Sequence, residues 1–203
     1  MFKTLLLAFL LFLVIDSAAQ QDTILFMNGQ IQPCKILSSD GTDVTFEFKK
    51  RKKLKVKNVH KSELFGIVEK GERSIYYTMN AIVGDDLSVQ EVEIFMAGQR
   101  DAKDNFNVVP VWLGGLSFGV LSGILGKSNF ILIAVPIITY PLAQYIPIIK
   151  IDKKYITNPN HRYNELYAEG FERVARGKKI GAALKSSALG TFIGAVFYRL
   201  VLR

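Results

Sequence analysis

The side chains able to carry chemistry are few, and their spacing suits none of the common reaction types. Cys34, His60 and His161 are the only cysteine and histidines in 203 residues, and their separations match neither a zinc ligand set nor a thiol–imidazole pair. One cysteine cannot form a disulfide within its own chain, and Cys34, beside Pro33 between strand-like runs, reads as a small buried apolar residue. No Ser/His/Asp order, P-loop or HExxH motif occurs, nor a pair of carboxylates in an apolar setting. Asp101 and Asp104 lie one helical turn apart and could share a cation, but Arg100 and Lys103 beside them favour a solvated charged face. The sequence thus predicts a protein that is not an enzyme and carries no cofactor and no metal.

Residues suited to binding are more plentiful. Lys49, Lys50, Arg51, Lys52 and Lys53 run through a strand junction, with Lys55 and Lys57 beyond. Like charges there repel unless they are well solvated or neutralised by a partner. Two readings stay open: an edge strand guarded against aggregation by lysine, and contact with anionic lipid headgroups or another anionic envelope polymer. Arg176, Lys178 and Lys179 form a second basic group with the same anionic-lipid or anionic-polymer reading. The formal charge is +8, and the excess falls in residues 150–203, which hold 11 basic against 4 acidic groups, whereas residues 20–107 hold 13 of each. That excess flanks apolar segments, so membrane lipid is the expected partner. Nucleic acid is disfavoured, because stacking aromatics are not interleaved among the lysines.

A third set of residues carries packing. Gly115, Gly119 and Gly123 stack on one helix face, as do Ala182, Ser186, Gly190 and Gly194, so that another backbone can approach closely. The partner of the first ladder is either the following apolar span of the same chain or a second copy.

The elements that must position these residues follow from patterning. Residues 1–19 have a basic start at Lys3, an apolar run from Leu5 to Ile15, and small residues at Ser17, Ala18 and Ala19, the form of a signal peptide. Residues 20–79 alternate apolar and polar positions, with Val44, Phe46 and Phe48 on one face and Leu54 and Val56 again on a buried face, which predicts antiparallel strands. Asn28-Gly29, Asp40-Gly41 and Lys70-Gly71 supply the turns. Five or six such strands suggest a small, bent sheet or barrel. Residues 88–106 open on the capping box Ser88-Val89-Gln90-Glu91 and continue as an amphipathic helix. Residues 108–149 contain Lys127 as their one charge and read as a hydrophobic helical hairpin of two spans, the second broken by Pro136, Pro141 and Pro147. Residues 158–203 read as an amphipathic helix capped by Asn158-Pro159, with Glu169–Arg173 and Glu172–Arg176 pairs, leading into a glycine-rich C-terminal helix.

The opening Asp22-Thr23-Ile24, then Asn28-Gly29, Ile36, Val44 and the basic hairpin, resembles small SH3-like or Sm-like barrels. The whole chain resembles a group of uncharacterised bacterial cell-envelope proteins. The features that carry this are the signal peptide, the β module, Gly98-x-x-Asp101-Ala102-x-x-x-Phe106, the glycine-rich hairpin, and Gly170-Phe171 leading to Ala175-Arg176-x-Lys178-Lys179. The expected fold class is therefore α+β: a small antiparallel β-barrel-like N-terminal module followed by a helical glycine-zipper membrane region. The expected place is the cell envelope, at the inner membrane with a periplasmic β module. The expected role is non-enzymatic, structural or adaptor, with assembly through the glycine-ladder helices into a homo-oligomer or larger envelope complex. The alternative is a small pore or permeation component.

Overall fold

The computed structural model describes residues 22–80, 86–126, 130–146, 149 and 151–202. The expected signal peptide lies outside them, as do Lys127 and Pro147. The chain divides into two compact units, one ending at Val89 and the other beginning at Gln90.

The first unit is all antiparallel β. Its strands are β1 (Thr23–Phe26), β2 (Ile31–Pro33), β3 (Lys35–Ser38), β4 (Asp43–Lys50), β5 (Lys53–His60), β6 (Leu64–Glu69) and β7 (Glu72–Ile75). They form a four-stranded sheet in the order β2-β1-β6-β7 and a three-stranded sheet in the order β3-β4-β5. Gly29, Gly41 and Gly71 take left-handed φ angles of 74°, 67° and 89° in turns that only a residue without Cβ adopts freely. The core joins Ile24, Val44, Phe46, Val59, Leu64 and Ile67 from both sheets. The Asp22 carboxylate ties the sheets together: it accepts from the Ile36 N–H of β3 and the Lys70 N–H of the β6–β7 turn, each at 3.0 Å.

This arrangement corrects the barrel expectation. No closed barrel is seen, because the chain crosses between sheets at Cys34, which separates β2 from β3, and the ladders do not continue across that corner. Leu54 and Val56 also differ from expectation: they are 66% and 62% exposed. In the β4–β5 register Val59, Lys57 and Lys55 stand opposite Val44, Phe46 and Phe48, while Val56 and Leu54 stand opposite Glu47 and Lys49. Directly opposed residues share a face, so the apolar members of β5's outer half point away from the core.

The second unit is helical: α1 (Val89–Asn105), α2 (Val109–Leu125), α3 (Phe130–Ala143) and α4 (Glu165–Phe197), the last continuing into a π turn at Tyr198–Leu202. α1 begins directly after Ser88, and α1 and α2 meet at a bend of 55°. Asn158 caps only a 3-10 turn, Pro159–His161. The long helix is capped instead by Asn164, whose side chain accepts from the Tyr167 N–H at 3.1 Å. Of the two expected ion pairs, Glu172–Arg176 forms at 3.5 Å.

The span lengths also differ from the hairpin expectation. α2 and α3 have 17 and 14 residues, or ~25 Å and ~21 Å at 1.5 Å per residue, short of a ~30 Å hydrocarbon core. Helical structure stops at Ala143, and Pro136 and Pro141 lie inside it, each removing a donor to the preceding turn. Among the described residues the helix Glu165–Val201 is long and apolar enough to cross a membrane, and α1 with α2 passes the same test as one bent pair.

Candidate functional site

In the β unit the cross-strand register builds a groove. Because Lys57 lies opposite Phe46 and Lys55 opposite Phe48, lysines and phenylalanines share one face of the β4–β5 ribbon. The groove, of about 390 Å³, is lined by Phe26, Phe46 and Phe48, by Lys49, Lys50 and Lys57, and at its rim by Glu63. Asn28, Gln30 and Gln32 of the β1–β2 hairpin also line it. Phe46 is 1% exposed and belongs to the core, whereas Phe26 and Phe48 are half-buried and offer surface to the groove. Phe46 meets Phe26 edge-on at 6.4 Å and Phe48 tilted at 5.7 Å. The Lys57 ammonium sits 5.8 Å from the Phe26 ring centroid, a cation–π contact that steadies the amine at the wall.

The hairpin tip holds the remaining cations. Lys50 stands directly opposite Lys53, so two like charges face each other. Arg51 adopts a left-handed φ of 59° at the first of the two loop residues, a position where such turns favour glycine. Arg51, Lys52 and Lys53 are exposed. The five hairpin cations of the sequence reading are thus split: Lys49 and Lys50 line the groove, and the other three lie beyond it. The interleaving of lysine with aromatic residues was hidden from the sequence because it arises across strands, not along one.

In the helical unit Asp101 is the polar centre. It is 6% exposed and accepts from Tyr167 Oη at 2.6 Å, Thr157 Oγ1 at 2.6 Å and Thr157 N–H at 2.8 Å. This corrects the solvated-face reading: partners 56 and 66 positions away enclose the carboxylate, while Asp104 stays exposed. Tyr167 and its neighbour Phe171 belong to an aromatic cluster with Phe106, Tyr155 and His161. Asp101 therefore organises the junction where α1 meets the first turns of α4.

The second basic group is largely engaged. Lys178 Nζ donates to the carbonyls of Ala102, Lys103 and Phe106 at 3.3, 2.9 and 3.1 Å, capping the end of α1, where cations are favoured. Arg176 donates to the Tyr145 carbonyl, stacks over the Tyr145 ring at 5.1 Å, and pairs with Glu172. Lys179 is half-buried with no side-chain partner among the described residues.

The six small residues meet in one seam. A Cβ on Gly115 would overlap the Ser186 hydroxyl; on Gly119 it would overlap the Ser187 carbonyl and lie 2.7 Å from Thr191 N; on Gly123 it would lie 2.7 Å from Ala195 N. Reciprocally, a Cβ on Gly190 would lie 3.0 Å from the Leu116 carbonyl carbon, and one on Gly194 at 3.0 Å from that of Val120. These contacts rise together in sequence, so α2 and α4 run parallel. Gly98 and Gly170 extend the same close approach to α1: a Cβ on Gly98 would lie 2.9 Å from Phe171 N, and one on Gly170 at 3.0 Å from the Phe95 carbonyl carbon. α3 runs back alongside α2, where Tyr140 Oη donates to the Val111 carbonyl at 2.9 Å. Within this chain the partner of the α2 ladder is therefore α4 and not the following apolar helix. Sequence reading could not choose, since both ladders have the same four-residue period and nothing in either names its mate.

No protein-family model matches the chain, and neither a characterised protein nor a solved structure gives a significant match, so the groove and the seam are interpreted from their own geometry.

Proposed function

We propose that this chain is a non-enzymatic, membrane-anchored protein of the cell envelope, in which the helical unit sits in lipid and the β unit serves as a binding head. The observation that carries this reading is the inverted burial along α2 and α4. Gly115, Gly119, Gly123, Ser186, Ser187, Gly190, Thr191 and Gly194 are buried, whereas Leu113, Phe118, Leu121, Leu184, Phe192, Ile193 and Leu200 are exposed. In water such an arrangement forgoes ~25 cal/mol for each Å² of apolar surface left uncovered. In lipid it is the expected one: small residues allow backbone contact and large apolar ones face the acyl chains. The buried hydroxyls are satisfied within the helix, with Thr191 Oγ1 donating to the Ser187 carbonyl at 2.8 Å and Ser186 Oγ to that of Ala183 at 3.2 Å, so none is stranded.

The seam is used within one chain, so anchoring needs no self-association through the ladders. It is also closed by direct backbone contact, which leaves no conduit along its axis and gives the permeation reading no support. Export through the N-terminal segment would put the β unit in the periplasm. Because α2 and α4 are parallel, the residues leading into α4 return to the end of the unit from which α2 starts.

The test is accessibility of single cysteines in intact cells and spheroplasts, in a Cys34→Ser background with new cysteines at Ser62 and Leu200. The expected result is labelling of position 62 from the periplasm, with position 200 protected until the membrane is dissolved. Free labelling of position 200 by an impermeant reagent in intact cells would overturn the anchoring.

A further inference from the structure

The groove between Phe48 and the β1–β2 hairpin has the composition of a ligand site, and we infer that it binds a short acidic saccharide, a sugar unit bearing carboxylate or phosphate. This deepens the reading of the β unit as a binding head and supplies the class of its ligand. Three chemistries converge in the groove. Phe26 and Phe48 give half-buried aromatic faces, which pack against the C–H face of a sugar ring as against any flat apolar surface. Asn28, Gln30 and Gln32 line the same groove, and carboxamides both donate and accept, the pairing that hydroxyl groups require. Part of that lining is already fixed: Asn28 Oδ1 accepts from the Gln30 N–H at 3.0 Å, and Gln32 Nε2 donates to the Pro33 carbonyl at 2.9 Å. The Asn28 amino group and the Gln30 carboxamide remain for a ligand.

Charge selects among ring-bearing ligands. Lys49, Lys50 and Lys57 have no ion pair among the described residues, and Lys50 faces Lys53 across the ladder. An anion in the groove beside Lys50 and Lys57 is attracted by both and offsets part of the repulsion that Lys50 meets from Lys53. Glu63 stands at the same rim. Its carboxylate accepts from hydroxyls, which a sugar ring offers and the interior of a deoxynucleotide strand does not. The volume, about 390 Å³, falls in the ~300–1,000 Å³ range of small-ligand sites.

The experiment uses the purified full chain in nanodiscs of zwitterionic lipid, titrated calorimetrically with tetragalacturonate, neutral maltotetraose and a thymidine hexanucleotide, with glucose 6-phosphate as a competitor to tell phosphate from carboxylate recognition. Tetragalacturonate is expected to bind at least about tenfold more tightly than either other oligomer. Lys50→Gln with Lys57→Gln should weaken it about tenfold, and Phe48→Leu, which keeps apolar bulk but removes the ring, several-fold. Lys35→Gln, on the exposed face of β3, should leave it unchanged. Equal or tighter binding of the hexanucleotide, equal binding of maltotetraose, or indifference to Phe48→Leu would each overturn the proposal. Since the titration does not depend on where the chain resides, its failure leaves the anchoring test untouched, and the reverse is also true.

Discussion

The β unit and the α2–α4 seam bury opposite kinds of residue. The β unit encloses Ile24, Phe46, Leu64 and Phe65 and shows lysine to the outside, while α2 and the later half of α4 enclose glycine, serine and threonine and show leucine, isoleucine and phenylalanine. The first pattern is what the hydrophobic effect produces in water. The second gains nothing from that effect and depends on close backbone approach, where many weak dispersion contacts add up. One chain therefore carries two solutions to packing, and the lipid environment proposed for the helical unit rests on that contrast.

If the contrast is real, substitutions should damage one unit and spare the other. The largest effect is expected from Gly119→Leu, whose side chain would occupy the space of the Ser187 carbonyl and the Thr191 N–H. Backbone cannot yield as a side-chain tip can, so the helical unit should lose about 3 kcal/mol or more. Hydrogen exchange should show α2 and α4 deprotected with β4 and β6 unchanged. Asp101→Ala comes next: it strands Tyr167 Oη in a buried place and releases the exposed Thr157 from its two bonds, at about 2–3 kcal/mol. Asp101→Asn should recover part of this, and the loss should appear in the α1–α4 junction by the same measurement.

In the β unit, Asp22→Ala removes the acceptor of the Ile36 and Lys70 amides and should cost about 2 kcal/mol, read as a lower unfolding midpoint of that unit alone. The smallest effect at moderate pH concerns Cys34, whose thiol is pushed up to about 11 by burial, with Asp22 nearby adding to the rise. The folded state then holds its proton where the unfolded state, with a thiol near 9, releases it. Stability of the β unit should fall as pH rises from about 9 toward 11, and Cys34→Ala should flatten that slope. Denaturant melts at pH 8 and pH 10 would measure it.

Local signals were the readable part of the sequence. The turns at Gly29, Gly41 and Gly71 need left-handed backbone, and asparagine, aspartate or lysine followed by glycine announces it. Ser88 marks the start of α1 for a similar reason, since capping involves only neighbours in the chain. What failed depended on partners distant in sequence. Leu54 and Val56 have the correct period, but period two cannot say which face meets the core until the strand is paired with β4. Asp101 has charged neighbours on either side, and only the fold brings Thr157 and Tyr167 to it. Lys178 reads as a surface cation until the end of α1 arrives beneath it. The groove was illegible on the same grounds, because its lining residues come from the β1–β2 and β4–β5 hairpins and from Glu63.

The central claim, that lipid surrounds the exposed apolar face of the helical unit, can be tested with a single tryptophan. In a Trp112→Phe chain reconstituted into bilayers of brominated phosphatidylcholine, tryptophan placed at Phe192 should lose most of its fluorescence relative to the same chain in unbrominated lipid. Tryptophan at Tyr163, exposed ahead of α4, should be quenched far less. If position 192 is not quenched, the face is covered by protein or water and the membrane-anchored account is contradicted.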